Sequence, residues 1–237
     1  MPDPNLELLE WAMDCLGPVA EDVVLVGGCA TGLLITDQAA ARPRVTRDVD
    51  VIAAITTLAQ YHATGKRLRQ QGFEEDTSEE ALICRWKLGD LTLDLIPTNP
   101  DLLGFGNEWF EAAYREASQA RLSSGKRLRH VTPPYFLATK LLAFDSRGGG
   151  DFMASPDIED LVSVLDGRPT LAGEVAAAEP GLRRFLADRF SKLLASEPFL
   201  EALPGHLNPD DASQSRAPFI LDRMREIATI AEAGRRP

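Results

Sequence analysis

The sequence predicts an α+β (α/β) chain, with a mixed β-sheet flanked by helices in its N-terminal half and a helical C-terminal half. Three observations carry this. Short runs that are continuously apolar, or that alternate with a period of two, all fall before Thr132. Apolar residues at spacings of three and four recur along the whole chain. After Pro133-Pro134 only that helical spacing remains, which puts the boundary between residues 1–132 and 133–237.

Taken in order, residues 5–16 carry Leu8, Leu9, Ala12, Met13 and Leu16 at helical spacing, and Gly17-Pro18 stops the helix. Val23–Val26 is a short apolar run that fits a buried strand. Gly27-Gly28 follows, and small and aliphatic residues predict a helix over 29–36. Pro43 and its charged neighbours mark a loop. Residues 48–55 begin with clean alternation and are rich in β-branched side chains, so they read as a strand. A helix over 58–71 ends at Gly72. Residues 81–88 and 91–96 flank Gly89-Asp90, a strong hairpin signal, and Pro97 and Pro100 close the hairpin. A helix over 107–119 and a last strand over 127–131 complete a half with four or five strands. The second half reads as helices over 135–147, 157–165, 180–196 and 218–233, with loops at Gly148-Gly149-Gly150 and 204–218.

With 237 residues, 44% of them hydrophobic, the chain can bury a core without disulfides or a structural metal. Cys15, Cys29 and Cys84 are odd in number and widely spaced, which excludes a disulfide framework or a zinc pattern and suggests a reducing compartment. No cationic, apolar leader is visible and no stretch approaches the ~18 apolar residues of a membrane span, so a soluble, cytoplasmic protein with no membrane partner is expected. The net charge of −11 argues against a generally basic nucleic-acid binder and suits carboxylates that hold cations.

Those carboxylates have a pattern. Asp48 and Asp50 lie two apart in a predicted strand, so both point to one face while Val49 and Val51 point to the core. In Leu91-Thr92-Leu93-Asp94-Leu95-Ile96 the leucines take one face and Asp94 the other. Gly27-Gly28 permits close backbone approach to a phosphate, and the helix after it offers N–H groups. A lone Asp-x-Asp would be an ordinary solvated pair; its conjunction with the glycine turn and Asp94 suits phosphoryl transfer. Two metals roughly 3.5–4 Å apart can clamp the attacking and leaving oxygens, and Mg2+ takes hard oxygen ligands with few from protein. Three clustered carboxylates also repel one another without a cation.

The stretch Val26-Gly27-Gly28-Cys29-Ala30, followed by Arg44-Val45-Thr46-Arg47-Asp48-Val49-Asp50, resembles the nucleotidyltransferase superfamily related to DNA polymerase β, and within it the AbiEii-like branch of abortive-infection and toxin–antitoxin toxins. Lys140-Leu141-Leu142-Ala143, Arg147 and Asp157-Ile158-Glu159-Asp160-Leu161 are similar to the helical motif of that branch. The resemblance covers roughly residues 23–165. It implies a nucleotidyltransferase core over 1–132, with a nucleoside triphosphate as substrate and Mg2+ or Mn2+ on Asp48, Asp50 and Asp94. Asp94 would also help deprotonate the acceptor. Gly27 and Gly28 would form the phosphate turn, with Thr46, Arg47 and Arg147 as further substrate contacts. Lys140 would contact the triphosphate, and Asp157 or Asp160 would orient Lys140 or a substrate group. A tRNA or protein acceptor and an antitoxin partner are implied as well. Two departures stand out: Cys29 replaces the serine that follows the glycine in many members, and Pro156 replaces the basic residue that often precedes the Asp-x-x-Asp pair. The alternatives are a non-catalytic nucleotide-binding or partner-binding relative, and a small-molecule (antibiotic-type) nucleotidyltransferase.

Other residues read more plainly. Lys126, Arg127 and Arg129 form a small basic cluster, either a solvated strand end or a lip for an anionic partner. His62, His130 and His206 show no ligand spacing. Cys29 is expected as buried filler, and Trp11, Trp86 and Trp109 as core or subdomain packing.

Overall fold

In the computed structural model, which describes residues 4–233, helix α1 (Pro4–Leu16) buries Leu9, Ala12, Met13 and Leu16 along the stripe that its spacing sets. Strand β1 (Val23–Val26) is buried at all four positions. One short turn of helix, α2 (Thr31–Leu34), comes before β2 (Asp48–Ala53). Helix α3 (Leu58–Gln70) starts from a capping box, in which Thr57 accepts from the Gln60 amide and the Gln60 side chain returns to the Thr57 amide. Then come β3 (Glu74–Glu75), β4 (Arg85–Leu88), β5 (Leu91–Pro97), α4 (Phe110–Arg115), β6 (Ser118–Arg121) and β7 (Arg127–His130).

The strands form one mixed seven-stranded sheet in the order β3-β4-β5-β2-β1-β7-β6. Parallel pairs join β2 to β5 and β1 to β7; the other neighbours are antiparallel. The central strands bury Val49, Val51, Leu93 and Leu95. Trp86, on the same face as its partner Leu93, lies against α3, where a Cβ added to Gly65 would fall 3.0 Å from the indole ring.

Contacts divide the chain into two compact units. One comprises the residues up to Gly32 with Val45–Thr132, and contains the whole sheet. The other comprises Leu33–Arg44 with the residues from Pro133 onward. It is helical: α5 (Pro133–Arg147), α6 (Pro156–Gly167), α7 (Leu171–Ala177), α8 (Pro180–Leu194), α9 (Glu197–Ala202), α10 (Asp211–Gln214) and α11 (Ala217–Ala233). Phe136, Leu161, Phe190, Phe199 and Met224 are among its fully buried side chains. The strap Leu33–Arg44 is fastened to the end of α6. The amides of Thr36 and Asp37 both donate to the Gly167 carbonyl, at 2.8 and 2.9 Å, and Arg168 donates to the Leu34 carbonyl at 2.7 Å. Arg216 bridges Asp37 and Asp166 at 2.6 Å each.

Several elements differ from the sequence expectation. Residues 29–36 form a 3-10 turn, Gly28–Ala30, and then only α2, because the following amides leave the helical ladder to pair with Gly167. Strand β4 begins at Arg85 rather than residue 81: Arg85 donates to the Leu82 carbonyl in a turn. The helix expected over 107–119 is confined to α4, since Ser118–Arg121 pairs with β7, and tertiary pairing overrides local propensity. With β3 and β6 the sheet has seven strands, not four or five. The expected loop 204–218 contains α10. Trp86 is buried as expected, but Trp11 is 42% exposed. Among the described residues no helix is long and apolar enough to cross a membrane.

The strap sits tightly: an added Cβ at Gly167 would lie 2.7 Å from Ile35 Cγ2. Overpacking of this kind costs about 1–3 kcal/mol. Gly167→Ala is therefore expected to lower Tm, and Ile35→Ala in the same chain to have less effect than it has alone, a coupling that thermal unfolding of the two single variants and the double variant would show.

Candidate active site

The register of β2 against β5 decides what meets. Asp48 lies beside Thr92 and Asp50 beside Asp94, so in this parallel pair all three aspartates project from one face and the valines from the other. Asp94 is 1% exposed, while Asp48 is at the rim with its side chain 41% exposed.

A cation already sits among them. The two-residue turn at Gly89-Asp90 pairs Leu88 with Leu91, and three further steps put Arg85 opposite Asp94. Its guanidinium grips that carboxylate with two hydrogen bonds, Nε to Oδ1 at 2.8 Å and Nη2 to Oδ2 at 2.7 Å, and Nη2 reaches Asp48 Oδ2 at 3.4 Å. The hydrogen bond to Asp94 pushes the Arg85 pKa further up, so Arg85 is a permanent positive charge. The cation that three clustered carboxylates call for is thus supplied in part by the protein itself, through Arg85. Among the described residues no three His, Cys, Asp or Glu groups are placed together so that they could hold a metal ion. Sequence reasoning missed Arg85, although counting back from the hairpin turn would have found it.

The glycine turn abuts the same face. Gly27 has φ +68° and ψ −166°, and a Cβ there would fall 1.9 Å from Asp50 Oδ2. Only glycine fits both the backbone and the carboxylate. Gly28 is buried at the start of the 3-10 turn, and the buried Thr31 hydroxyl just beyond has no hydrogen-bond partner among the described residues. Thr46 is buried and occupied internally: its amide donates to Asn5 Oδ1 at 3.0 Å and its hydroxyl lies 2.8 Å from Cys29 Sγ. Arg47 is exposed just ahead of β2. Burial, with the charges of Asp94 and Asp50, pushes the Cys84 thiol up to about 12, which keeps it protonated.

The remaining candidates lie in the helical unit, where they form one chain of alternating charge. Lys140 on α5 is buried, and its ammonium donates to Asp157 Oδ1 at 3.0 Å and Asp160 Oδ2 at 2.6 Å. Arg147 grips Asp157 with two bonds, 2.9 and 2.8 Å. Arg44, at the end of the strap, does the same to Asp160, both at 2.9 Å. Burial raises the Asp157 carboxyl, but the Arg147 hydrogen bonds and the Lys140 charge outweigh it and hold the group below the usual carboxylate range. His130 and His206 bond to backbone carbonyls, Nδ1 to Val131 at 2.9 Å and Nε2 to Phe152 at 2.7 Å, and His62 is exposed.

No family model matches the chain, and no curated protein matches it. Two solved structures from Helicobacter pylori are similar to it. JHP933 has a TM-score of 0.50 and 13% identity, over 99% of this chain and 96% of its own. A protein described as a "putative nucleotidyltransferase" has a TM-score of 0.49 and 13% identity over the full length of both chains. The likeness to JHP933 shows a shared fold.

Two tests follow from the charge geometry. Arg85→Gln leaves Asp94 buried without its partner and is expected to destabilise the protein by about 3 kcal/mol, with Asp94→Asn recovering part of that in urea unfolding. The depressed Asp157 pKa contributes stability that is full above pH about 4 and is lost as pH falls through the lower folded value. Arg147→Ala weakens the depression, so urea unfolding against pH should show a shallower loss below pH about 4 than in the native chain.

Proposed function

We propose that this protein is a metal-dependent nucleotidyltransferase, moving a nucleoside monophosphate from a triphosphate to an acceptor hydroxyl. The observation that carries the reading is the shared face of Asp48, Asp50 and Asp94 on adjacent parallel strands, with the Gly27 turn pressed against Asp50. Asp48 and Asp50 offer hard carboxylate oxygens, the donor set that Mg2+ or Mn2+ takes, and few protein ligands are needed where phosphates and water complete the shell. Held there, the metal would stabilise charge on the phosphates.

The chain's own groups do the rest. Gly27, without a side chain, lets a phosphate approach the backbone beside Asp50, and the amides of the Gly28–Ala30 turn are the donors it would meet. The acceptor oxygen forms a bond to the α-phosphorus, the bond to the bridging oxygen breaks, and pyrophosphate leaves. The acceptor proton passes to Asp94 as Arg85 yields one of its two hydrogen bonds. Arg47 is exposed beside β2 and can meet an anionic substrate, while Arg147, which grips Asp157, is assigned to the ion-pair chain of the helical unit. Thr46 and Lys140 are held in internal contacts, and we assign them to positioning neighbouring groups. The motif resemblance extends the reading to an AbiEii-type toxin with a tRNA or protein acceptor and an antitoxin partner.

A second reading, a non-catalytic nucleotide-binding relative, is favoured by one feature: Arg85 occupies both oxygens of Asp94. Incubation with each labelled triphosphate, Mg2+ or Mn2+, and a cell extract separates the two. Labelled RNA, protein or small molecule is expected, with label abolished by Asp48→Ala or Asp50→Ala. Label that survives those changes would refute the assignment, and triphosphate binding without transfer would select the second reading.

A further inference from the structure

We propose that the arginine face of the β6–β7 hairpin is a docking surface for the phosphodiester backbone of a nucleic-acid strand. Arg121 on β6 lies directly opposite Arg127 on β7, and Arg129 follows two residues along β7 on the same face. Like charges directly opposite each other across a strand pair destabilise it. The chain has 36 acidic residues against 25 basic ones, yet neither the Arg121 nor the Arg127 guanidinium has a hydrogen-bond or ion-pair partner among the described residues, and both side chains are exposed. The neighbouring basic groups are handled differently. Lys126 pairs with Asp14, and Arg129 is fixed by its hydrogen bond to the Tyr114 carbonyl at 2.6 Å, with its guanidinium 4.5 Å from the centroid of the Tyr114 ring. An unneutralised cross-strand arginine pair on so acidic a chain fits a surface whose counter-charge comes from a ligand.

The hairpin chemistry selects the ligand. Arg121 and Arg127 stand side by side on adjacent strands, about 5 Å apart along the backbone pairing, and two guanidinium groups so placed can meet phosphate oxygens with paired hydrogen bonds. A protein partner would want a buried apolar or aromatic anchor at the centre of its footprint. The hairpin has none: Leu122 and Leu128 are buried, and the exposed large hydrophobic residues lie elsewhere.

Register places this surface with respect to the carboxylates. His130 lies beside Leu25, and Val26 beside Asp50, so Arg127 and Arg129 project from the same face of the sheet as Asp48, Asp50 and Asp94. Strand β7 is two spacings from β2, about 10 Å. As a seat for the acceptor the surface rests on the proposed transferase reading; as a binding site it does not.

The test is fluorescence anisotropy with the full chain and short single-stranded oligonucleotides, one of RNA and one of DNA in the same sequence, beside a polyglutamate peptide. Salt-sensitive binding of an oligonucleotide is expected, and the tighter of the two names the source of the phosphodiester. Arg121→Gln/Arg127→Gln should weaken binding about tenfold or more and reduce the salt slope by about 1.4. Removing the like-charge pair should leave Tm unchanged or raised, which separates lost binding from lost folding. Lys66→Gln/Arg225→Gln, with the same change of charge, should bind like the native protein. Unchanged affinity in the Arg121/Arg127 variant, an equal loss in the Lys66/Arg225 control, or tighter binding of polyglutamate would each overturn the proposal. Binding is read without turnover, so a protein that binds but transfers nothing sinks only the transferase reading. A protein that transfers but binds equally well without these arginines sinks only this one.

Discussion

The parallel pairing of β2 with β5 places Asp50 beside Asp94, and much of the sheet unit answers to that contact. Like charges set directly beside each other on adjacent strands destabilise the pairing. The hairpin that supplies Asp94 also supplies Arg85 across from it, so the strand carrying the buried charge is made with its own compensation. The Gly27 turn completes the arrangement by leaving the space that the Asp50 carboxylate fills. Remove any one member and the others lose a partner, a wall or a counter-charge.

The helical unit meets the same difficulty with the same chemistry. Asp157 and Asp160 stand one turn apart on α6, buried, and three cations share them: Lys140 between the two, Arg147 at one end and Arg44 at the other. Buried ion pairs of this kind add little net stability over apolar packing, but breaking one is strongly destabilising, so they specify an arrangement. Here they specify that the strap end at Arg44 stays on α6 while Gly167, at the other end of that helix, takes the amides of Thr36 and Asp37. The helix N-terminus favours Asp157 in its first turn, and Ser155 caps it.

The arginines of β6 and β7 invert this logic. Arg121 and Arg127 face each other without an acid, on a chain that has acids to spare. A pair of like charges facing each other across two strands suits a ligand, whereas Arg85, Arg44 and Arg147 are engaged by carboxylates of the fold.

By itself the sequence determined whatever depends on periodicity. Alternation put Asp48 and Asp50 on one face and Asp94 on the face opposite its leucines; helical spacing marked α1, α3, α5, α6, α8 and α11; and Gly27-Gly28 marked the turn. Short helices such as α7, α9 and α10 span too few residues for a 3.6-residue period to show. Only the tertiary structure decided the order of the strands, since pairing partners far apart in sequence carry no local signal. It turned Ser118 and Gln119, the end of the expected helix, into the start of an edge strand, drew Leu33–Arg44 onto the helical unit, and set Arg85 and Arg44 on their aspartates. Periodicity fixes which way a side chain points; which charge it meets depends on contacts whose energy is realised only when distant segments have come together.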